Sequence, residues 1–527
     1  MINTDLVLPY GYTHDTVIDA LTSHLPIDRS EIGEIRLLRR ELIVKDGRAP
    51  VYKCSIAFSS SIDKEEGLLK LRNKVSRFEY DTFSSKQSHF DDRPVVAGAG
   101  PAGLFAALAL AESGARPIVL ERGLDVDGRA KKIELFNRFG VLDTECNVQF
   151  GEGGAGTYSD GKLKTGAKDK YKYRVLEEFI DGGADESIAY STSAHLGTDK
   201  LPGIVKNIRN KILSLGGEVV FSARLTDVTI KDGRLCQIEY EKNGERVSLP
   251  TDTLILATGH SARDTVRMLK DRGAKITPKG FGVGMRIEHP REYINGIVYR
   301  DSKEFIEETA SYHLVTHLSS GRSVYSFCMC PGGSVVAATS EDSGIVTNGM
   351  SEYSRMDDNS NAAILVSVTP ADFGSDDPLA GIEFQRKIER VAYNVSGSYK
   401  ALAISLSDLM EGGKTSGKLA VNPSYPLGVN TASPYDFLPE YIPSSIAEAM
   451  PDFDSWLSGF MLPEATFTGP ETRTTSPYRI ERESDGCATG CYGIYPTGEG
   501  AGYAGGIVSS AVDGLKMAEK AIEKHLK

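Results

Sequence analysis

Tryptophan occurs once in the 527 residues and cysteine seven times. An odd number of cysteines, spread thinly over a long chain, makes no disulfide framework and suits a reducing compartment. None of the cysteines has partners at zinc-ligand spacing, so no metal site is expected. Basic charge is also short: Lys and Arg number 60 against 72 Asp and Glu, a formal net charge of −12. Such a chain is a poor candidate for backbone-driven nucleic-acid binding. The opening residues MINTDLVLPYGYTHD carry neither a basic nor an apolar leader region, which excludes a signal peptide by pattern. The longest apolar stretch, Val95–Ala111, holds three glycines and a proline and reads as strand, turn and helix rather than a membrane span. No repeat of 20–50 residues is visible. A cytoplasmic protein of two or three domains is the expectation.

Glycine, by contrast, is plentiful, with 54 residues. It clusters around 98–103, 151–161 and 498–506. The chain organises itself around those clusters. Residues 1–90 read as a small N-terminal α/β domain, with strands at Leu6–Leu8, Ile32–Val44 and Val51–Phe58, a helix at Thr13–Leu25 and a turn at Asp46-Gly47. The polar stretch Ser84–Arg93 has linker composition. Residues 91–275 read as the first part of a nucleotide-binding domain, with a helix at Leu201–Leu215 and a β-meander closing on Thr253–Ala257. Residues 276–467 are mixed, with strands over 280–340 and helices around 383–412 and 443–461, and read as an inserted domain. Residues 468–527 return to the first domain and finish in a helix, Gly505–His525.

Val95-Val96-Ala97 leads into Gly98-Ala99-Gly100-Pro101-Ala102-Gly103, a G-x-G-x-x-G directly after a strand and opening a helix. Gly98 permits the tight turn, Gly100 lets the backbone approach a pyrophosphate, and Gly103 lets helix and strand pack closely. The helix N-terminus offers free N–H groups to phosphates. A second strand, Pro117–Leu120, ends in Glu121, close to the spacing expected of a ribose-binding carboxylate. Arg122 follows it. Glu121 disfavours NADP at this site but does not separate FAD from NAD.

Two distant segments do separate them. Thr253–Gly259 ends in Ala257-Thr258-Gly259 and is similar to a strand that passes beneath the nucleotide in two-dinucleotide-binding flavoproteins. Tyr495–Ile507 carries Gly498-Glu499-Gly500-Ala501 and then Gly505-Gly506-Ile507. It resembles the late Gly-Asp motif of FAD proteins, with Glu499 in place of the aspartate that binds the ribityl chain. Further stretches, Asn147–Lys162, Ser326–Gly333, Thr347–Met350 and Glu471–Pro477, resemble signatures of the large, little-characterised FAD-dependent dehydrogenases of bacteria. That family belongs to the superfamily of glutathione reductase and the aromatic hydroxylases. The resemblance covers most of the chain after residue 90 and implies a non-covalent FAD. It also implies that Gly153, Gly154, Gly156, Thr157, Ser159, Asp160, Gly161 and Lys162 follow the ribityl and diphosphate region. The fold class is therefore α/β: a Rossmann-like FAD-binding domain, an inserted mixed α/β substrate domain and a small N-terminal α/β domain.

FAD carries the electron chemistry itself, so catalytic side chains are harder to read. The region after the first nucleotide strand has only Cys146, without the close cysteine pair of glutathione-reductase-type enzymes. No second strand–G-x-G-x-x-G–helix unit appears, since the turn read at Gly280–Gly284 has no helix after it. The single Trp456 cannot make the paired-tryptophan motif of flavin halogenases. Candidates are His260 after the Ala-Thr-Gly turn, Arg286 and His289 on or after the strand Phe281–Ile287 at the inserted domain's entry, and Arg473 in the return segment. Histidine suits proton transfer near neutral pH, and arginine suits a carboxylate or a reduced flavin's charge. Cys328 and Cys330 either form a redox-active or flavin-proximal pair or simply share one face of a strand. His313 and His317 have helical spacing without an acid between them. The run Lys164, Lys168, Lys170, Lys172 and Arg174 is a solvated face or an anion site. The expected function is an FAD-dependent dehydrogenase or reductase with a small-molecule substrate between the FAD and inserted domains. A transient NAD(P)H or a protein would act as electron donor. A flavin monooxygenase is the alternative enzyme, and a non-catalytic flavin-binding or RNA-associated protein the alternative class.

Overall fold

The computed structural model describes residues 1–45, 48–71, 73–78, 86–163 and 171–526. The turn expected at Asp46-Gly47 lies outside them, as do Lys164, Lys168 and Lys170.

The N-terminal unit is β-α-β-β-α-β: strands Ile2–Pro9, Ile35–Ile43, Val51–Phe58 and Val75–Arg77, with helices His14–His24 and Ile62–Leu69. Thr13 starts the first helix, its hydroxyl accepting from the Thr16 amide. Alternate apolar residues on the strands, Ile2, Leu6, Leu8, Cys54 and Ile56, pack against Val17, Leu21 and Leu68 of the helices. The sheet order is second, third, first, fourth strand, and the pairings to the first and third strands are antiparallel. Tyr10 and Tyr52 donate from their hydroxyls to Glu308, at 3.0 and 2.6 Å, and so tie this unit to the body. The stretch with linker composition is also pinned: Ser88 bridges Leu526, and Phe90 stacks on His525 at 4.1 Å.

The nucleotide-binding part is a five-stranded parallel sheet. Its order is Ile494–Pro496, Leu254–Leu256, Val95–Ala97, Ile118–Leu120 and Glu218–Val220. The first four strands are buried along their whole length, as strands covered on both faces must be. Helix Pro101–Glu112 packs on the terminal helix Ile507–Lys524 so closely that a Cβ on Gly514 would sit 2.1 Å from the Ala102 carbonyl oxygen. The expected meander is the three-stranded sheet Ala223–Lys231, Arg234–Lys242, Glu245–Pro250.

The middle of the chain builds a seven-stranded sheet in the order Val315–His317, Ser323–Cys330, Asn359–Val368, Phe281–Pro290, Thr466–Glu471, Ala401–Ser405 and Val429–Thr431. Helices Ala380–Ser396 and Tyr441–Trp456 pack against it. The strand Thr466–Glu471 runs through the expected division at 467/468. Two readings are corrected here. Gly280–Gly284 is no turn: Phe281–Pro290 is a central strand, and a Cβ on Gly284 would lie 1.9 Å from the Ile364 carbonyl oxygen of its neighbour. His313 and His317 share no helix, because His317 ends a strand paired with Ser323.

Candidate active site

Three loops that the parallel sheet delivers to one edge enclose a cavity of about 440 Å³. The 98–103 turn comes first. Gly98 has φ +102°, a conformation that favours glycine, and a Cβ there would meet the Ala257 carbonyl oxygen at 2.4 Å. Gly98, Gly100, Pro101 and Ala102 line the cavity. Gly103 does not; its hypothetical Cβ falls 1.9 Å from the Gly98 oxygen, so it serves the close packing of helix on strand. Ala99 also lies behind the wall, its amide donating to Glu121 Oε2 at 2.8 Å. Glu121 Oε1 accepts from Gly123 and Gly151, both at 2.9 Å. This buried carboxylate thus joins the glycine turn to the 151–162 loop while lining the cavity. Arg122 lies 4.4 Å over the Phe150 ring and donates to Asp264 at 2.9 Å.

The second and third loops close on each other. Ala257, Thr258 and Gly259 line the cavity, and so do Glu499, Gly500, Gly505, Gly506 and Ile507. A Cβ on Gly500 would stand 2.5 Å from the Gly259 carbonyl carbon, so the two motifs are packed backbone to backbone. Gly498 and Ala501 sit behind this wall, Gly498 donating its amide to Asp513 Oδ2 at 2.7 Å. From the 151–162 loop, Gly154, Gly156, Ser159, Asp160, Gly161 and Lys162 line the cavity. Gly153 and Thr157 support it: Gly153 donates to the Ala99 oxygen at 2.8 Å, and Thr157 is buried. Asp160 pairs with Arg355 at 2.6 Å and with Lys162 at 3.3 Å. Burial raises its carboxyl, yet the two cations hold it below the usual carboxylate range.

The candidates for chemistry separate into three groups. His260 lines the cavity, with Nδ1 2.6 Å from Glu499 Oε1 and with a buried Nε2 that has no hydrogen-bond partner among the described residues. The pairing expected of Glu499 with a ribityl chain is therefore accompanied by one with His260. The arginines are not free to hold a ligand's charge. Arg473 lines the cavity but donates to Glu389 through Nε at 2.9 Å and Nη2 at 2.8 Å. Arg286 is fully buried behind the cavity, its Nε 2.6 Å from Glu471. His289 belongs to the core: it is buried, bonded through Nε2 to the Phe460 oxygen at 2.9 Å, and lowered by burial to about 4. It is thus removed from the site.

The cysteines follow neither simple strand geometry nor a flat wall. Phe327 pairs with Ala363 and Cys330 with Asn361, so Cys328 and Met329 together face one residue, a β-bulge. Cys328 has φ +41° and lines the cavity, whereas Cys330 is buried. They do not simply share one face.

Asn348 of the Thr347–Met350 stretch lines the cavity, and residues without an obvious motif complete the wall: Ala223 and Leu225 of the meander, Ser261 and Thr265. Nothing in their local pattern marks them, because they reach the cavity through sheet pairing and loop packing. Glu471 also lines it; burial, partly offset by Arg286, pushes its carboxyl up to about 7.

The cavity fits a dinucleotide. The N-termini of helices Pro101–Glu112 and Ile507–Lys524 both open on it, which suits the anionic diphosphate and an electron-rich ring. A Cβ on Gly100 would find no protein atom nearer than Gly154 Cα at 3.7 Å, so the space before it is open to the cavity. No described helix is long and apolar enough to cross a membrane.

Residues 280–474 match the family described as FAD-dependent protein, C-terminal domain-like. An uncharacterised protein of Clostridium beijerinckii is 43% identical over 509 residues, covering 95% of this chain and 94% of its own. Among solved structures, a flavoprotein/dehydrogenase from Cytophaga hutchinsonii is 13% identical over 82% of this chain and 78% of its own, with a TM-score of 0.34. A 3-ketosteroid dehydrogenase from Rhodococcus jostii is 13% identical over 84% of this chain and 100% of its own, also at 0.34. The chain belongs to one family with its uncharacterised Clostridium relative, residues 280–474 match the FAD-dependent protein family, and FAD is its cofactor.

Proposed function

We propose that the protein is an FAD-dependent oxidoreductase, a dehydrogenase or reductase, whose organic substrate binds between the nucleotide-binding part and the inserted sheet. The observation that carries this reading is a shared cavity. The same space is lined by the dinucleotide loops and by Phe327, Cys328, Asn348 and Glu471 of the inserted part. Ligand sites commonly lie at such junctions. When bound, FAD supplies the electron chemistry. The chain's own residues position it and move protons. Glu499 fixes the His260 ring through Nδ1, leaving Nε2 as the atom that gives or takes a proton. Glu471, balanced near neutral pH, is the second group able to exchange a proton there.

The test is anaerobic. Holoenzyme is mixed with NADH, NADPH and a panel of candidate metabolites, and the flavin absorbance is followed before and after an acceptor is added. Bleaching by at least one donor and recovery with an acceptor are expected. A bound flavin that no donor bleaches and no acceptor reoxidises would overturn the reading in favour of a non-catalytic cofactor.

A further inference from the structure

We propose that Cys328 and Cys330 are a redox-active dithiol that exchanges two electrons with the FAD, a step that rests on the oxidoreductase reading above. The bulge is the first support. A regular strand would aim both side chains the same way, but the extra residue re-aims Cys328 to the cavity wall and leaves Cys330 buried. Cys328 also holds a left-handed backbone conformation, φ +41°, that non-glycine residues seldom adopt. Strain of this kind persists only where the surroundings enforce it. Arg286 does so: Nη1 donates to the Cys328 carbonyl oxygen at 3.1 Å and to Asn361 Oδ1 at 2.7 Å, and lies 4.0 Å from Cys330 Sγ. Gly349 makes room for this guanidinium, since a Cβ there would be 2.2 Å from Nη1.

The two sulfurs are unequal. The Cys330 thiol donates to the Cys328 carbonyl oxygen at 3.2 Å, the neighbouring thiols lower Cys328 and raise Cys330, and the cations of Lys162 and Arg286 favour the thiolate further. Lys162 lines the same cavity, and its Nζ is buried without a hydrogen-bond partner among the described residues. A cavity-facing thiolate beside a buried protonated thiol is the arrangement that thiol–disulfide chemistry needs. Cys146 and Cys491 differ: both are buried, and burial raises their thiols.

The step balances as follows. An S–S bond forms between the Cys328 thiolate and the Cys330 sulfur as the Cys330 S–H bond breaks. Two electrons and that proton pass to oxidised FAD. In the opposite direction, the Cys328–Cys330 disulfide would take up two electrons and a proton from the reduced cofactor and the dithiol would be regenerated, so the pair would store two electrons beside the flavin.

Anaerobic titration of air-oxidised holoenzyme with dithionite, with FAD content measured on the same sample, tests this. Wild type should take up about four reducing equivalents per FAD, and Cys328→Ser and Cys330→Ser about two. Alkylation of the denatured, air-oxidised wild type, read by peptide mass, should leave both cysteines unmodified. Uptake of about two equivalents by wild type, with both cysteines alkylated, would overturn the dithiol. That result together with bleaching by a donor leaves the oxidoreductase standing. Four-equivalent uptake with no response to any donor supports the dithiol while removing the oxidoreductase.

Discussion

Gly100 stands where the backbone must approach the cofactor, and its missing side chain faces open cavity rather than protein. Gly100→Val is therefore expected to leave the fold intact and to fill the space before the turn. The purified variant should retain at most about a tenth of the wild-type flavin per chain, a loss of at least about 1.4 kcal/mol in binding. Flavin absorbance against protein concentration, with circular dichroism as the folding control, checks it. The turn around Gly100 was legible in the sequence as a junction of strand and helix, because a glycine's place in a turn depends on its immediate neighbours. The ends of the strands Ile118–Leu120, Leu254–Leu256 and Ile494–Pro496 were legible for the same reason. The orientation of Cys328 was not, since it follows from a register shift against Asn359–Val368, a strand about thirty residues further on. Nor was the engagement of Arg473 and Arg286, which depends on buried glutamates supplied by other elements.

Helix Ala380–Ser396 of the inserted part meets the nucleotide-binding part through Glu383, Gln385 and Glu389, of which Glu389 gathers the most donors. Glu389 accepts from Arg263 Nη2 and Arg473 Nε, each at 2.9 Å, and from the Thr472 hydroxyl at 2.8 Å. Burial raises its carboxyl, but Arg263 and Arg473 outweigh burial and hold it far below the usual range. Removing one member of a buried ion network leaves the others uncompensated. Glu389→Gln should thus cost about 3 kcal/mol or more at pH 7, read by urea unfolding. The sign of the pH dependence follows from the depressed carboxyl. Its stabilisation is present above the unfolded value, about 4.3, and is lost as pH falls toward the folded one. The gap between wild type and variant should accordingly narrow below that pH; a gap that widens there would contradict the network. Elements whose period and caps are local, such as His14–His24, Val51–Phe58 and Leu201–Ser214, were visible in the sequence. The strand over Phe281–Ile287 was visible, and only its first glycines, Gly280–Gly284, were misread as a turn, because they answer to neighbouring strands: a Cβ on Gly282 would lie 2.4 Å from the Tyr325 hydroxyl. The open face of the N-terminal sheet carries Asp5, Val7, Lys53, Ser55, Arg39 and Glu41 by register, and no aromatic platform for stacking bases among its described residues.

At the scale of the whole molecule, both helix N-termini suited to a dinucleotide open on one cavity, which the reading proposed above gives to FAD. Of the basic run's described residues, Arg174 is paired with Glu112 and Glu178, and Lys172 is half-buried. NADH and NADPH are accordingly expected to bind the FAD-loaded protein more weakly than about a micromolar, or −8 kcal/mol, by isothermal titration. A tighter constant would reveal a nucleotide site elsewhere. The return of the glycine-rich pattern near the end of the chain coincides with a strand, Ile494–Pro496, that joins the parallel sheet of Val95–Ala97. The exact partition was not readable from the sequence, because Thr466–Glu471 sits in the inserted sheet while the residues just after it line the cofactor cavity. The parallel sheet has a further consequence, in time rather than in space. Its edge strand Ile494–Pro496 and the loop to Ile507 are made some four hundred residues after Val95–Ala97. At about 5–20 residues per second, synthesis separates the first glycine turn from the segment that closes over the cofactor by roughly 20–80 seconds. Until then the strand Leu254–Leu256 has a bare edge and the pocket lacks a wall. Flavin acquisition is consequently a late event in the life of the nascent chain, and a ribosome that stalls within the insertion releases a product that cannot retain the cofactor.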